Sequence, residues 1–292
     1  MTTTGPTFHI VDVFAETRYA GNQLAVFTEA RGLGDEDMQQ LAREMNFSET
    51  TFILSDVPRD GGYDVRIFTP TVEVPFAGHP TLGTAYIIRH TLAQEPVDRV
   101  ILNLLVGQIP VVFDEDIAWM TPREAVFGEV IAPSEIAPLL SVAESDLDRD
   151  FPIQSVSTGV PFILLPLRDL DAVRRAGVVK DKWLDWVKDR QAKSLFVFCR
   201  DTVEPGHHIH ARMFADYYGV AEDPATGSAN CCFAAYLVKH RYFDTDQIDV
   251  CVEQGYEMGR PSLLYLRANE RNGRINVNVG GKVVRVAKGN LV

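Results

Sequence analysis

One arrangement of residues occurs twice in this chain. In the first half, residues 65–68 (VRIF) are followed by a loop, then by Gly78-His79 and an apolar stretch. In the second half, residues 211–214 (ARMF) are followed by a loop, then by Gly227-Ser228 and a second apolar stretch. A degenerate repeat of this kind indicates two related domains that arose by duplication.

The pattern of apolar residues predicts strands and helices in both halves. Runs rich in β-branched and aromatic residues predict strands, among them residues 8–14, 63–68, 194–199 and 208–214. Residues 35–45 predict a helix, residues 170–186 predict a mostly helical segment, and two apolar stretches, residues 80–90 and 229–239, each predict a further helix. The sequence therefore predicts an α+β fold of two blocks, each with many strands and one central helix.

The length and the distribution of acids and prolines suggest where the two domains meet. A chain of 292 residues fits two domains of about 150 residues. Because residues 114–152 are richer in acids and proline, we predict a first domain at 1–118, with a final strand near 282–292 returning to it, and a second at 119–281. A cleft between two such domains is a usual place for a small-molecule site.

Charge and composition exclude several classes of partner. The net charge of −12 argues against a nucleic-acid-binding surface. No apolar run approaches the roughly 20 residues that span a bilayer, and residues 1–6 lack the pattern of a signal peptide. The four cysteines form no CxxC pair, which is typical of a reducing compartment. We therefore expect a cytoplasmic protein that binds neither nucleic acid nor membrane.

Both central helices begin with residues suited to binding an anion. Gly78-His79-Pro80 predicts a helix start with proline at the first helical position. Thr226-Gly227-Ser228 predicts a second start with Ser228 as the N-cap. Backbone N–H groups and the helix dipole favour an anion at such a position. The alternative is that both are capped core helices with no ligand.

Two acidic residues lie close to these features. Glu49 lies at the junction between a predicted helix and a predicted strand that begins at Thr50, and Asp223 precedes the second helix start in a loop stiffened by Pro224. Loops at the ends of regular elements often carry function. Composition and spacing alone do not distinguish Glu49 from a solvated surface charge.

Short motifs along the chain match one known family. They are Asp12-Val-Phe14, Gly21-Asn22, Ala25-Val-Phe27, Ser48-Glu49-Thr50-Thr51-Phe52, Pro75-Phe76-Ala77-Gly78-His79-Pro80-Thr81-Leu82-Gly83, Glu222-Asp223-Pro224-Ala225-Thr226-Gly227-Ser228-Ala229, Glu253-Gln254-Gly255 and Met258-Gly259-Arg260-Pro261-Ser262. In these motifs the chain resembles the PhzF-like phenazine-biosynthesis family, from about residue 8 to the C-terminus. The resemblance implies a diaminopimelate epimerase-like fold, in which each of two similar domains is a β-barrel-like sheet around a central helix.

The resemblance also implies an activity and a set of site residues. The activity is that of a cofactor-independent isomerase that moves a proton within a small carboxylic acid such as a trans-2,3-dihydro-3-hydroxyanthranilate-like compound. Neither metal nor cofactor is expected, and the protein is expected to be a homodimer. The implied roles are general acid/base for Glu49, assisting polar residues for His79 and Asp223, and binding of the substrate carboxylate for Gly78, Gly227 and Ser228.

Three rival sites are weaker. His208 and His210 would share one face of a strand, but no acid or cysteine near them in sequence completes a set of metal ligands. Cys231 and Cys232 invite comparison with the thiol bases of related epimerases, yet they lie inside an apolar helix, where buried and inert cysteine is expected. Residues 78–83 (GHPTLG) lack the Lys-Ser/Thr of a phosphate-binding loop.

Two alternative functions remain open at this point. A racemase or epimerase of an amino or hydroxy acid needs two bases on opposite faces of the substrate, and the sequence offers one strong candidate base, Glu49. A non-catalytic relative would keep the fold and bind a small molecule without turning it over.

Overall fold

The computed structural model describes residues 5–95 and 97–292. The strands are β1 (Thr7–Val13), β2 (Asn22–Phe27), β3 (Glu49–Ile53), β4 (Tyr63–Phe68), β5 (Glu73–Val74), β6 (Arg99–Leu104), β7 (Gly107–Asp114), β8 (Ile117–Met120), β9 (Val126–Ile131), β10 (Ile153–Ser157), β11 (Pro161–Pro166), β12 (Ser194–Cys199), β13 (Ile209–Ala215), β14 (Val220–Asp223), β15 (Gln247–Gln254), β16 (Ser262–Arg271) and β17 (Arg274–Asn290). The α-helices are α1 (Asp35–Met45), α2 (Gly78–Ile87), α3 (Pro133–Ile136), α4 (Leu170–Arg175), α5 (Lys180–Val187) and α6 (Gly227–Lys239).

The expectation that the chain begins without a signal peptide concerns residues 1–6, of which the first four lie outside the described residues.

The chain divides into two compact units. The first comprises Met1–Thr121 with Gly280–Val292, and the second comprises Pro122–Val279. Strand β17 therefore begins in the second unit and ends in the first. That these units correspond to the functional domains predicted at 1–118 and 119–281 stays a prediction. Among the described residues, no helix is long and apolar enough to cross a membrane.

The first unit is a closed barrel around a helix. Its eight strands pair in the circuit β1–β2–β3–β4–β6–β7–β8–β17 and back to β1, with β2–β3 and β4–β6 parallel. Helix α2 contacts most of these strands, and almost every residue of it is buried. A Cβ on Gly83 would lie 2.6 Å from Cδ2 of Leu24 and 2.9 Å from Cγ2 of Val13, so glycine allows the helix to approach the wall this closely.

Helix α1 packs on the outside of this barrel. Its Met38 and Ala42 are buried in one cluster with Phe27 and Phe52 of the barrel strands. Three acids occupy its first turn, where they complement the helix dipole. The prediction of a helix over Asp35–Met45 is confirmed.

The second unit repeats the plan with a different set of strands. Pairing runs β9–β10–β11–β12–β13–β15–β16, with β11–β12 and β13–β15 parallel. Helix α6 contacts β10, β11, β15 and β16 and is buried over Ala229–Val238. A helix that is apolar all round is stable only when it is enclosed. The predicted α+β class, with an apolar helix central to each half, is confirmed.

The predicted helix over residues 170–186 is interrupted. The structure has α4 and α5 in its place, separated by Ala176–Val179. In that gap the backbone bonds elsewhere: Gly177 O accepts from Ser141 N at 2.9 Å, and Val179 N donates to Leu139 O at 2.8 Å. Bonds to a distant segment therefore replace the helical ones, which the apolar spacing alone does not reveal.

Candidate active site

Glu49 is the first residue of β3, and its side chain is directed to the start of α2. Alternate residues of a strand share a face, so Glu49 projects to the same side as Thr51. The Thr51 hydroxyl lies 2.8 Å from the hydroxyl of Thr84 on α2. Glu49 Oε2 lies 3.5 Å from Nε2 of His79, the second residue of α2, and the Glu49 side chain is 19% exposed. The carboxylate thus sits at the end of the barrel where α2 begins.

His79 is a buried hydrogen-bond donor. Its Nε2 lies 3.3 Å from the carbonyl oxygen of Gln23. Because a carbonyl only accepts, the proton belongs on Nε2, which also faces Glu49. Burial lowers the pKa of His79 to about 3, although the bond to Gln23 acts in the opposite direction. The imidazole is therefore neutral near pH 7, with its Nε2–H directed to Gln23 and its Nε2 3.5 Å from the Glu49 carboxylate.

The start of α2 differs by two residues from the prediction. The N-cap is Ala77, in an extended conformation, and Gly78 is the first helical residue. Pro80 is therefore the third helical residue, and the prediction that it is the first was wrong. Proline still fits there, because the first-turn N–H groups have no partner inside the helix. Gly78 is buried and directly precedes His79.

In the second unit, Asp223 and Thr226 together shape the start of α6. Asp223 ends β14, and its Oδ2 accepts a 2.5 Å hydrogen bond from the Thr226 hydroxyl. Thr226 is the N-cap, and Gly227 is the first helical residue. The prediction that Ser228 is the N-cap was wrong, because the extended backbone at Thr226 already ends the loop. Ser228 is partly buried in the first helical turn.

Sequence reasoning missed two polar residues beneath this turn. Gln254 and Asn230 are both fully buried, and the Asn230 amide donates to Gln254 Oε1 at 3.1 Å. Gln254 also bonds to Asp223 and Thr226. Glu253-Gln254-Gly255 is one of the motifs of the family resemblance, but no local pattern in the sequence links it to a loop some 28 residues earlier.

Three histidines at the start of β13 and just before it contact acids or a cysteine. Nδ1 of His207 and Nδ1 of His210 each lie 2.8 Å from an oxygen of the buried Glu253. Nε2 of His210 lies 2.9 Å from Glu257 Oε1, and Nδ1 of His208 lies 3.3 Å from Cys251 Sγ. Acids and a cysteine thus do lie beside these histidines in space. No group of three such side chains among residues 5–95 and 97–292 could hold a metal ion.

The two ring nitrogens of His210 both face carboxylates, so both donate and the ring is an imidazolium. Burial alone would lower the pKa of His210, but the bonds to Glu253 and Glu257 outweigh it and raise that pKa. Burial alone would raise the pKa of Glu253, but bonds from His210, from the N–H groups of Val203 and Glu204, and from His207 hold it at about 2. This cluster is an internal ion pair network within the second unit.

The cysteines of α6 are buried, as predicted. Burial raises the pKa of Cys232 to about 11 and raises that of Cys231 well above its usual value. Both thiols therefore stay protonated near pH 7, and a protonated thiol is a poor base.

Known proteins match this chain over nearly its whole length. A model of the family described as phenazine biosynthesis-like protein (PhzC-PhzF) matches residues 11–289. A trans-2,3-dihydro-3-hydroxyanthranilate isomerase of Pseudomonas aeruginosa is 34% identical over 286 residues, covering 96% of this chain and 97% of that protein. An uncharacterized isomerase of Mesorhizobium japonicum is 34% identical over 297 residues, covering 97% of each. The crystal structure of a Bacillus anthracis phenazine biosynthesis protein of the PhzF family matches with a TM-score of 0.90 at 25% identity, covering 99% of this chain and 100% of that one.

These matches confirm the resemblance that the motifs indicated, together with the predicted fold and the predicted enzyme class. The match extends over nearly the full length of the chain and of its relatives, so it includes both units. The chain therefore belongs to the PhzC-PhzF family of phenazine biosynthesis-like proteins and is an isomerase.

Proposed function

We propose that this isomerase works without a cofactor and moves a proton within a small carboxylic acid, with Glu49 as the general acid/base. The observation that carries the proposal is the position of the Glu49 carboxylate, at the start of an apolar helix and 3.5 Å from the buried Nε2 of His79. A carboxylate in such a place is shielded from bulk water on most sides and is still within reach of a ligand, because its side chain is 19% exposed.

The chemistry needs one group that takes a proton and returns it. Ionised Glu49 removes a proton from one carbon of an allylic acid, and the protonated side chain delivers it to another carbon as the double bond moves. Atoms and electrons balance within the substrate, so no redox partner enters. His79 stays neutral because of its low pKa, directs its N–H to the carbonyl oxygen of Gln23 and does not compete with Glu49 for the proton.

The substrate carboxylate is the second part of the proposal. Gly78, Gly227 and Ser228 lie in the first turns of α2 and α6, where backbone N–H groups favour an anion. Asp223 is proposed as an assisting polar residue, oriented by its bond from Thr226. A carboxylate held at these helix starts would be oriented for proton transfer, and its negative charge would be stabilised as it develops.

The lead substrate is a trans-2,3-dihydro-3-hydroxyanthranilate-like acid, because the Pseudomonas aeruginosa relative is named for that reaction. The proposal includes a homodimer, as the family resemblance implies, and a location in the cytoplasm, as the few cysteines and their spacing indicate. A racemase or epimerase activity and a non-catalytic binding role are the alternatives that the experiment must separate.

The test is NMR spectroscopy of trans-2,3-dihydro-3-hydroxyanthranilate incubated with the protein in heavy water. A moved double bond supports the proposal. If Glu49→Gln no longer moves the double bond while Glu44→Gln, on the exposed side of α1, still does, the base is Glu49. Exchange with inversion and no moved double bond would replace isomerisation by epimerisation. Binding without any change in the spectrum of this acid would contradict it as the substrate.

A further inference from the structure

Gln254 lies beneath the Asp223–Thr226 turn with its whole side chain buried. Its Nε2 donates to the carbonyl oxygen of Asp223 at 2.8 Å and to the Thr226 hydroxyl at 3.1 Å. Its Oε1 accepts from Thr226 N at 3.2 Å and from Asn230 Nδ2 at 3.1 Å. One side chain thus bonds to the backbone at both ends of the loop that leads into α6 and to the side chains of Thr226 and Asn230.

These four bonds use the full hydrogen-bonding capacity of an amide and distinguish its nitrogen from its oxygen. The two N–H groups face acceptors, and the oxygen faces donors. The Thr226 hydroxyl accepts from Gln254 and therefore directs its own proton to Asp223 Oδ2. The orientation of the Asp223 carboxylate follows from the orientation of the Gln254 amide.

The backbone next to Gln254 is fitted to the same loop. Gly255 has a φ of +78°, and a Cβ there would lie 2.5 Å from the carbonyl oxygens of Pro224 and Arg260. Only glycine allows the end of β15 to approach Pro224 this closely. The strand end therefore supports the loop through its backbone and through the Gln254 side chain.

We propose that Gln254 is a positioning residue for the reaction: through Thr226 it holds the Asp223 carboxylate in its working orientation. The inference rests on the proposed role of Asp223. It assigns a task to the Glu253-Gln254-Gly255 motif, which the proposed function by itself leaves unexplained.

The decisive variant is Gln254→Glu, which keeps the shape of the side chain and replaces the N–H donors with a carboxylate oxygen. That oxygen competes with Asp223 for the Thr226 proton and repels the Asp223 charge. We expect kcat to fall about tenfold to a hundredfold, the scale of a misplaced catalytic group, with a smaller change in KM. The added charge also raises the pKa of Asp223, so the limb of the pH–rate profile that Asp223→Asn abolishes moves to higher pH.

The matched control is Gln247→Glu, the same chemical change on an exposed residue of the same strand. It should leave kcat, KM and the pH profile unchanged. If Gln254→Glu does not fold, Thr226→Val removes the hydroxyl link alone and should lower kcat, while Thr226→Ser should restore it. A kcat for Gln254→Glu within twofold of that for Gln247→Glu, or a lower kcat with an unmoved limb, overturns the inference.

A measurement independent of turnover separates this inference from the proposed function. The carboxyl carbon of Asp223 is titrated by NMR in the wild type and in Gln254→Glu. An upward shift of its pKa supports the positioning role even if Glu49→Gln is fully active and the proposed function fails. An unchanged pKa, with Glu49→Gln inactive, removes the positioning role and leaves the proposed function standing.

Discussion

Arg212 and Glu222 form a two-pronged ion pair across the β13–β14 hairpin, with Nε–Oε1 at 2.9 Å and Nη2–Oε2 at 2.8 Å. Arg66 and Glu73 form the same fork across β4–β5, with Nε–Oε1 at 2.7 Å and Nη2–Oε2 at 2.6 Å. Each hairpin directly precedes a central helix. Arg66 and Arg212, which occupy the same place in the two repeats, therefore do the same thing: each links the two strands of the hairpin that precedes a central helix.

The two forks differ in burial, and this difference predicts different costs for substitution by lysine. Nη1 of Arg212 also donates to three carbonyl oxygens at the end of α4, which belong to Val173, Arg174 and Ala176. Lysine keeps the charge but loses the fork. We expect Arg212→Lys to lower the free energy of unfolding by about 3 kcal/mol and Arg66→Lys by about 1 kcal/mol. Urea unfolding of both variants measures this, and an equal loss would contradict the assignment.

Glu49→Gln should keep the fold and ligand binding but lower turnover at least about a hundredfold, the usual scale for removing a general acid/base. The amide has nearly the same shape as the carboxylate but cannot take up a proton. Turnover and ligand affinity are measured side by side with Glu44→Gln. Near-normal turnover in Glu49→Gln would show that another group is the base.

The ion pair network around His210 predicts how stability depends on pH. The pKa of Glu253 is lowered to about 2 from an ordinary 4.5, so its contribution is present above about pH 4.5 and is lost as pH falls toward 2. The pKa of His210 is raised above its ordinary 6.5, so its contribution is present below 6.5 and is lost as pH rises through the raised value. The network therefore stabilises the fold most between these limits.

Melting temperatures of the wild type and His210→Gln, measured from pH 3 to 9, test this. The difference between them should be largest between about pH 4.5 and 6.5 and should shrink on both sides. The control is His90→Gln, the same substitution at an exposed histidine that does not lie between two carboxylates. A difference that grows steadily with pH would mean that His210 is neutral in the folded protein.

Activity should survive chelators and need no added nucleotide. His207 and His210 are hydrogen-bonded to Glu253, and the proposed proton transfer requires no electron acceptor. The measurement is turnover after dialysis against EDTA, with and without each divalent metal returned. Loss of turnover that one metal restores would point to the His208–Cys251 contact as a ligand pair.

The start of α6 should distinguish charged from neutral ligands. Ser228→Ala should weaken carboxylate ligands more than their amide analogues, and Gly227→Val should do more damage by blocking the approach to the backbone. A helix terminus favours an anion by about 0.3–1 kcal/mol when exposed and up to about 2 kcal/mol when partly buried. Calorimetric titration measures both ligand series. Equal effects on the two series would remove Gly227 and Ser228 from the carboxylate site.

The sequence by itself determined several of the elements and the family. The helix over Asp35–Met45 and the strand over Ser194–Cys199 follow from local periodicity and match the structure at both ends. The motifs around Glu49, His79 and Asp223 identified the family. These are short-range signals, because a helix face or a strand is encoded within a few neighbouring residues.

Tertiary structure decided what each of these residues touches. The parallel register of β13 and β15 places His210 opposite Glu253 and Ala211 opposite Gln254. That register brings one buried carboxylate to the histidines and one buried amide to the turn before α6. Burial keeps His79 neutral, whereas the bonds to Glu253 and Glu257 keep His210 charged in spite of its burial. Such contacts join residues tens of positions apart, so they depend on strand pairing and enclosure, which no local pattern in the sequence encodes.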